Sequence, residues 1–586
     1  MSIRLQHAVW VSSLLILAAA VCSYSVMAGN HFVDSPHNGF FLKNAIDLLE
    51  GHVMFRDSLN SYGFLSTLIH AAGMTIWGWR ITSLLNVTLV FVVALGLGVY
   101  YLWCKVMPPW AAFLAASLYF VYNYRIHLPW PNYYATFFIL CAGGLLMKWL
   151  RSPHKRHWLV AAGVMAGLVF LARQTLSPPL IVLAGFFIIF ASASAGPTNR
   201  RLAGLLIFLV SFVVAVLPLF VYLYFQAALY DWWIQSVRLI PLWYKPFAQT
   251  GDTFLSQFAY FMKLLFGELP FLTLVAVATS FAFCLLLVLK RFSSDEKGPS
   301  LLGVISLAML SQVYPDEGLW RHTLGLSLGY GWPIYLPYLL FASQRFGRLR
   351  RHPFLVRMSF VPMYVLPVFL ALALPKIASV YEEVRAAFNL EEHKETYFQY
   401  VTKPEVFKGM WLPTEQALYY SAIYDEIETF RNQHPDTPVI TTNGDVLPLT
   451  FIRNNEGFNP MFTIYPSIAW ANIARHPLAK ENSNQVESML ALHRKNRDFE
   501  WDTANVLAYP DYWSKYAAFV SSRKPLIISS GEPVEHYFQV KMVFDGYIQM
   551  RSVVFHGSPE VIDSQYYFWW SQFADKPRSV IWKPRP

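Results

Sequence analysis

Long apolar runs alternate with short polar connections over roughly the first two thirds of the chain. Runs near spanning length lie at 8–28, 81–103, 110–123, 133–149, 158–172, 178–192, 201–224, 268–289, 299–313, 323–342 and 357–375. A helix crossing about 30 Å of hydrocarbon needs some 20 apolar residues, so about eleven transmembrane helices are predicted, several of them short. After residue 376 the pattern changes. EEHKETYFQYVTKPEVFKG is polar, PTEQALYYSAIYDEIETFRNQ has helical spacing, and PVITTNG reads as a strand and turn. KMVFDGYIQMRSVVF reads as a hairpin turning at Asp545-Gly546. The predicted architecture is an α-helical polytopic membrane core over 1–375, with a first outer loop at 29–80, followed by an α/β domain over 376–586.

Composition agrees with this pattern. The 586 residues are 55% hydrophobic and 14% charged, where a soluble domain carries about a quarter charged residues. The net charge of +10 does not point to nucleic acid, because the basic residues sit in short clusters between apolar runs. Lys148, Arg151, Lys155 and Arg156 mark one connection, and Arg200 and Arg201 the next. Lys290, Arg291 and Lys297 mark a third, and Arg345, Arg348, Arg350, Arg351 and Arg357 the last. Every second connection is basic, which assigns those connections and the N-terminus with Arg4 to the cytoplasm. The loop after the first span, the 123–132 and 173–178 turns, the 225–267 segment, the 313–322 loop and the C-terminal domain then face outward. The first run lacks a small-x-small cleavage site before the polar loop and is expected to remain as a span. Cys22, Cys104, Cys141 and Cys284 lie in or beside apolar runs, with no disulfide framework or C-x-x-C metal pattern.

No Asp, Glu, Lys or Arg falls at the centre of a predicted span. Ionisable residues gather instead at the outward ends: Asp34, His37, Asp57, Arg125, His127, Arg173, Asp316, Arg321 and His322. That depth suits a substrate with a lipid tail and a phosphorylated head. A lipid-linked saccharide flippase or other transporter is an alternative, but it requires polar groups along the spans. In the first loop, NAIDLLEGH reads as an interfacial helix ended by Gly51.

The stretch GFFLKNAIDLLEGHVMFRDSLNSYGFL resembles the first outer loop of GT-C integral-membrane glycosyltransferases, the protein-mannosyltransferase-like and rhizobial lipopolysaccharide-transferase-like bacterial families. LARQT, YPDEGLWRH and the GMWLPTEQA start of the outer domain are similar to further patches of those families. The resemblance implies transfer of a sugar from a polyprenyl-phosphate donor to a lipid, glycan or protein acceptor, at the outer face of a bacterial inner membrane. The C-terminal domain would then be periplasmic. It also implies a first-loop carboxylate beside the acceptor and the anomeric carbon, and inversion by single displacement. A carboxylate takes the proton of the attacking hydroxyl, and cationic groups meet the charge of the departing phosphate.

One departure matters. Many relatives carry an acidic pair where this chain has His37 and Asn38, before Gly39. Asp34 is then the expected base, with His37 assisting, and Asn38, Asp57, Arg125, Arg173, Asp316, Arg321 and His322 the expected substrate contacts. Alternatively His37 takes the proton itself, or the chain is an inactive scaffold. Plainer readings stand beside these. In these, Asp34 is a turn former, Asp57 a loop residue paired with Arg56, Arg173 a snorkelling anchor, and Arg125 and His127 interfacial polar groups. Trp232, Trp233, Trp243 and Tyr244 fit an aromatic belt or a sugar platform. No cofactor is expected. A divalent metal on Asp34, His37 and Asp57 is conceivable, although their spacing matches no firm ligand pattern.

Overall fold

The computed structural model describes residues 3–238 except 32, 34, 59, 61, 106–108, 125, 127 and 192–197. Between 378 and 455 it describes all but 379, 383, 386–387, 389–390, 393–394, 396–397, 442–446 and 454, and beyond that 522–530, 547–554 and 578–584. The first seven predicted spans are helices: α1 (Ile3–Gly29), α4 (Ile81–Trp103), α5 (Pro109–Tyr122), α6 (Pro131–Arg151), α7 (His157–Ala172), α8 (Ser177–Ala191) and α9 (Thr198–Phe225). Four of them, over Leu5–Gly29, Ile81–Trp103, Pro131–Arg151 and Arg200–Phe225, are long and apolar enough to cross a membrane. The four runs predicted between 268 and 375 lie outside the described residues.

α7 packs between α6 and α9. Its Gly163 and Gly167 form a small-xxx-small pair that lets the α9 backbone approach. A methyl group at Gly163 would lie 2.3 Å from the Phe208 carbonyl oxygen, and one at Gly167 2.6 Å from Ala215 Cβ.

The first outer loop folds into two helices, α2 (Ser35–Leu49) and α3 (Phe64–Trp77). α2 starts well before the predicted NAIDLLEGH segment. Ser35-Pro36 opens it, proline being compatible with the first turn because its missing N–H has no intrahelical partner there. His37 and Asn38, read from the sequence as loop residues, therefore stand in the first turn of a helix. Nor does α2 present one wet face, as an interfacial helix would. Phe41, Leu42, Ala45 and Ile46 are buried, and so are Asn38, Lys43, Asn44 and Asp47. Both α3 and the outer unit pack on α2. Phe41, Leu42, Ala45 and Ile46 share one apolar core with Val401, Phe407, Leu412, Tyr420 and Ile423.

That outer unit opens on a short antiparallel pair, β1 (Phe398–Tyr400) with β2 (Trp411–Pro413), which leads into an α-helix at Thr414–Gln433. A four-stranded sheet follows in the order β3-β4-β6-β5, comprising β3 (Val439–Thr441), β4 (Leu526–Ser530), β5 (Tyr547–Val554) and β6 (Arg578–Pro584). β3 and β4 are parallel, and the other pairs are antiparallel. The helix and strand predicted at 414–441 are present. β5 is one arm of the predicted Asp545-Gly546 hairpin; the other arm lies outside the described residues, and β5 pairs with β6.

Candidate functional site

The loop leaving α1 is held by the outer unit. Trp411 N–H donates to the Asn30 carbonyl at 3.0 Å, and Gln416 Nε2 donates to the Val33 carbonyl at 3.0 Å. His31 Nδ1 donates to the Trp411 carbonyl at 3.1 Å, while its Nε2 lies 2.5 Å from Glu391 Oε2. These four contacts fix the approach to α2 from a segment some 360–380 residues further along the chain.

At the start of α2, the His37 ring lies 4.9 Å from the Trp130 ring. Trp130 also meets Phe41 at 5.8 Å and Tyr62 at 6.0 Å, centroid to centroid. An aromatic floor is thus assembled from α2, the loop before α3 and the residue preceding α6. Arg173 caps the C-terminus of α7 and sits over the Tyr62 ring at 5.8 Å. Only 8% of Arg173 is exposed. Its Nη1 donates to Asn132 Oδ1, and its Nε donates to Thr175 Oγ1 at 3.4 Å. An amide oxygen, a hydroxyl and an aromatic face hold the guanidinium.

Local backbone geometry explains the two sequence patches that meet here. Gly63 N–H donates to the Ala172 carbonyl at 3.1 Å, and Ser66 Oγ donates to the same oxygen at 2.7 Å. A methyl group at Gly63 would lie 2.1 Å from the Leu171 carbonyl oxygen. The Tyr62-Gly63 pair of the first loop and the LARQT segment are therefore one packed unit, which sets Arg173 against Tyr62. Asn38 lies beside this group in the sequence of α2. It is 2% exposed, and its Oδ1 has no hydrogen-bond partner among the described residues. An unmet buried acceptor costs about 1–3 kcal/mol, so the position is suited to a donor brought by a ligand.

Of the residues singled out from the sequence, His37 and Arg173 are thus joined through Trp130 and Tyr62, and Asn38 follows His37 in the first turn of α2. Asp57 does not join them. It sits beyond the C-terminal end of α2, whose 15 residues span about 22 Å. There it pairs with Arg56 through Nε–Oδ1 at 2.8 Å and Nη2–Oδ2 at 2.9 Å, and accepts from Val53 N–H at 2.8 Å. Arg56 also donates to the Gln226 carbonyl at 3.1 Å, tying the turn to the end of α9. The pairing with Arg56 named in the plainer reading of Asp57 is present. Burial works to raise its carboxyl pKa, but the Arg56 and Val53 hydrogen bonds and the Arg56 charge outweigh it, and the net direction is downward. Asp34, Arg125, His127, Asp316, Arg321 and His322 lie outside the described residues, as do Trp243 and Tyr244. Trp232 packs on Phe220 at 4.7 Å.

Several residues were not singled out from the sequence. Asn132 and Trp130 flank Pro131 at the start of α6, and no local signal marks them. Gln235, 1% exposed, accepts from Asn60 N–H at 3.0 Å and donates to the Phe55 carbonyl at 2.5 Å, bracing the first loop. Lys43 and Asp47 form a buried ion pair one helical turn apart, a spacing legible once α2 is known. Burial raises the Asp47 carboxyl pKa, outweighing the charge and hydrogen bond of Lys43 that lower it. Among the described residues, Asp47, Glu50 and His52 form a metal-compatible group in the first loop; the conceived group on Asp34, His37 and Asp57 includes Asp34, which lies outside them.

No family model matches the chain, and no curated protein matches it. Among solved structures, ArnT from Cupriavidus metallidurans in the apo state is similar over 98% of this chain and 98% of its own, at 13% identity and a TM-score of 0.47. The same protein bound to undecaprenyl phosphate is similar over equal shares, at 13% identity and a TM-score of 0.43. The Archaeoglobus fulgidus oligosaccharyltransferase tethered with an acceptor peptide is similar over 92% of this chain and 72% of its own, at 12% identity and a TM-score of 0.46. Both proteins are GT-C glycosyltransferases, the type that the first-loop motif resembles. Likeness of this degree transfers neither residue roles nor substrates.

Proposed function

We propose that this chain is a membrane glycosyltransferase of the GT-C type, moving a sugar from a polyprenyl-phosphate donor to an acceptor on the outer face of the membrane. The observation that carries the reading is the seating of Arg173, nearly buried at the end of α7 above the Tyr62 ring and joined through Tyr62 to Trp130 and His37. A guanidinium fixed in a dry site is suited to a phosphate that gains charge as it departs. The aromatic floor beside it is suited to the apolar face of a sugar ring.

In this reading the acceptor hydroxyl oxygen bonds to the anomeric carbon as the bond from that carbon to the phosphate oxygen breaks. The hydroxyl proton passes to Asp34, with His37 hydrogen-bonded in support, and the bonding electrons leave with the lipid phosphate. Arg173 meets the resulting charge together with Arg125, Arg321 and His322, while Asp316 contacts the donor. Asn38 takes a hydrogen bond from a hydroxyl of the sugar or acceptor. Asp57 serves the site by holding the turn beyond α2. The outer unit covers α2 and shapes acceptor access, on the periplasmic side of a bacterial inner membrane.

Transfer assayed in membranes with a labelled polyprenyl-phosphate sugar tests the reading. Asp34→Asn is expected to lose about 100-fold or more of the turnover, the usual size of a general-base effect. Arg173→Ala is expected to lose about 100- to 1,000-fold, as for removal of one charge-stabilising donor, with Arg173→Lys recovering part. Undiminished turnover in Asp34→Asn removes it as the base, and undiminished turnover in Arg173→Ala removes the phosphate contact. Mass spectrometry of envelope glycans with and without the protein identifies the sugar and acceptor. An alkaline phosphatase fusion at the C-terminus is expected to be active; an inactive fusion would turn the site to the wrong side.

A further inference from the structure

The far end of α2 carries a second group of chemically capable side chains. Asp47, Glu50 and His52 each present a ligand atom, and these atoms lie within 4.8 Å of one another. His52 Nε2 is 3.8 Å from Glu50 Oε2. The main chain builds this proximity: Gly51 adopts a φ of +85°, and His52 N–H folds back to donate to the Asp47 carbonyl at 2.9 Å.

Two independent observations suit this group to a cation. Asp47 is 2% exposed, and although Lys43 occupies its Oδ1, its Oδ2 has no hydrogen-bond partner among the described residues. A carboxylate oxygen is seldom buried without a partner, because its desolvation is uncompensated. Secondly, the C-terminal end of a helix carries negative partial charge and favours cations. Here it carries Asp47 and Glu50, with the Asp57 carboxylate close enough to act on Asp47. Lys43 and Arg56 supply two positive charges against these three carboxylates.

We propose that Asp47, Glu50 and His52 bind one divalent first-row transition ion, zinc matching best, which clamps the last turn of α2 to the turn that follows it. One imidazole and two carboxylates suit zinc or manganese, whereas calcium requires six or more oxygen ligands. Tetrahedral zinc at about 2.1 Å from each ligand holds ligand atoms about 3.4 Å apart, so side-chain rotation alone closes the group, with water as the fourth ligand. Lys43 becomes the outer partner that fixes the orientation of Asp47. The ion sits at the opposite end of α2 from His37 and Arg173, and this inference stands independently of the proposed reaction.

The test uses the full-length protein in detergent, stripped with a chelator and re-equilibrated with zinc, manganese or calcium alone. Wild type is expected to retain about one zinc per chain by elemental mass spectrometry and to melt at a higher temperature with zinc than without. His52→Gln and Glu50→Gln are expected to bind at least about tenfold more weakly, whereas the exposed control His154→Gln is expected to bind as wild type does. In wild type, zinc is expected to protect His52 from diethyl pyrocarbonate, read by peptide mass spectrometry, and to leave His154 reactive. This arm needs no variant to fold. The proposal is overturned if wild type retains no zinc, if His52 and His154 label alike with zinc present, or if folded His52→Gln and Glu50→Gln retain as much as wild type, an adventitious ion only.

Discussion

Replacing Gly63 with alanine tests whether the first outer loop and the end of α7 form one rigid unit. The added methyl group would lie 2.1 Å from the Leu171 carbonyl oxygen, 2.5 Å from the Ala172 carbonyl carbon and 2.6 Å from its oxygen. All three are main-chain atoms, so no rotamer change relieves the clash. Ordinary contact begins at 3.4 Å, and the loop must therefore move away from α7 by roughly an ångström. That displacement stretches two hydrogen bonds on the Ala172 carbonyl, from Gly63 N–H at 3.1 Å and Ser66 Oγ at 2.7 Å. Overpacking costs about 1–3 kcal/mol and each lost hydrogen bond about 1 kcal/mol. Reduced freedom of the unfolded chain returns about 0.4–1 kcal/mol. The expected net loss is about 2–5 kcal/mol, read as a lower melting temperature of the purified protein in detergent. Because Arg173 follows Ala172 directly, sugar transfer is expected to fall as well. Gly51→Ala is the contrast: no atom lies within 4 Å of its added methyl group, so it carries only the strain of a left-handed backbone, about 1–2 kcal/mol. A Gly63→Ala protein that melts with wild type and turns over normally would refute the reasoning.

Lys43→Met, measured with chelator present, is expected to cost about 3–5 kcal/mol because it strands the buried Asp47 carboxylate. Lys43→Met with Asp47→Leu is expected to recover most of that loss; a double variant no better than the single would show that the pair is not the cause. Asp57, with its carboxyl pKa lowered in the folded protein, contributes stability present in full above its unfolded value near pH 4. That contribution is lost as the pH falls through the lowered folded value. Asp57→Asn is therefore expected to lower the melting temperature at neutral pH and to flatten the acid limb of the melting profile, and an unchanged limb would contradict it.

Sequence pattern reached the helical core because burial in hydrocarbon leaves a composition signal that survives one residue at a time. Seven predicted spans coincide with α1 and α4–α9 to within a few residues. The start of α2 was less legible. Asp34 to Gly39 holds a proline, a glycine and four polar residues, all of which read as loop, whereas Ser35-Pro36 opens a helix. His37, Asn38 and Arg173 were legible as candidates because ionisable and amide groups at the ends of spans are unusual. Their partners were not. Asn132 and Tyr62 reach Arg173 through tertiary packing, and nothing local distinguishes them from other polar and aromatic residues near a helix end. The same holds for the burial of Asp47: an i,i+4 pair with lysine reads as a solvated helix face, and only the folded structure shows both residues buried.

The contacts that seat the first loop join residues about 380 positions apart, as between His31 and Trp411 or Val33 and Gln416. At a synthesis rate of about 5–20 residues per second, the ribosome needs on the order of 20–80 s to make the intervening chain. During that interval the nascent segment stands without the cover that fixes it. Whatever this region does must therefore wait for Trp411 and Gln416 to be made, so translation itself sets the earliest moment of competence.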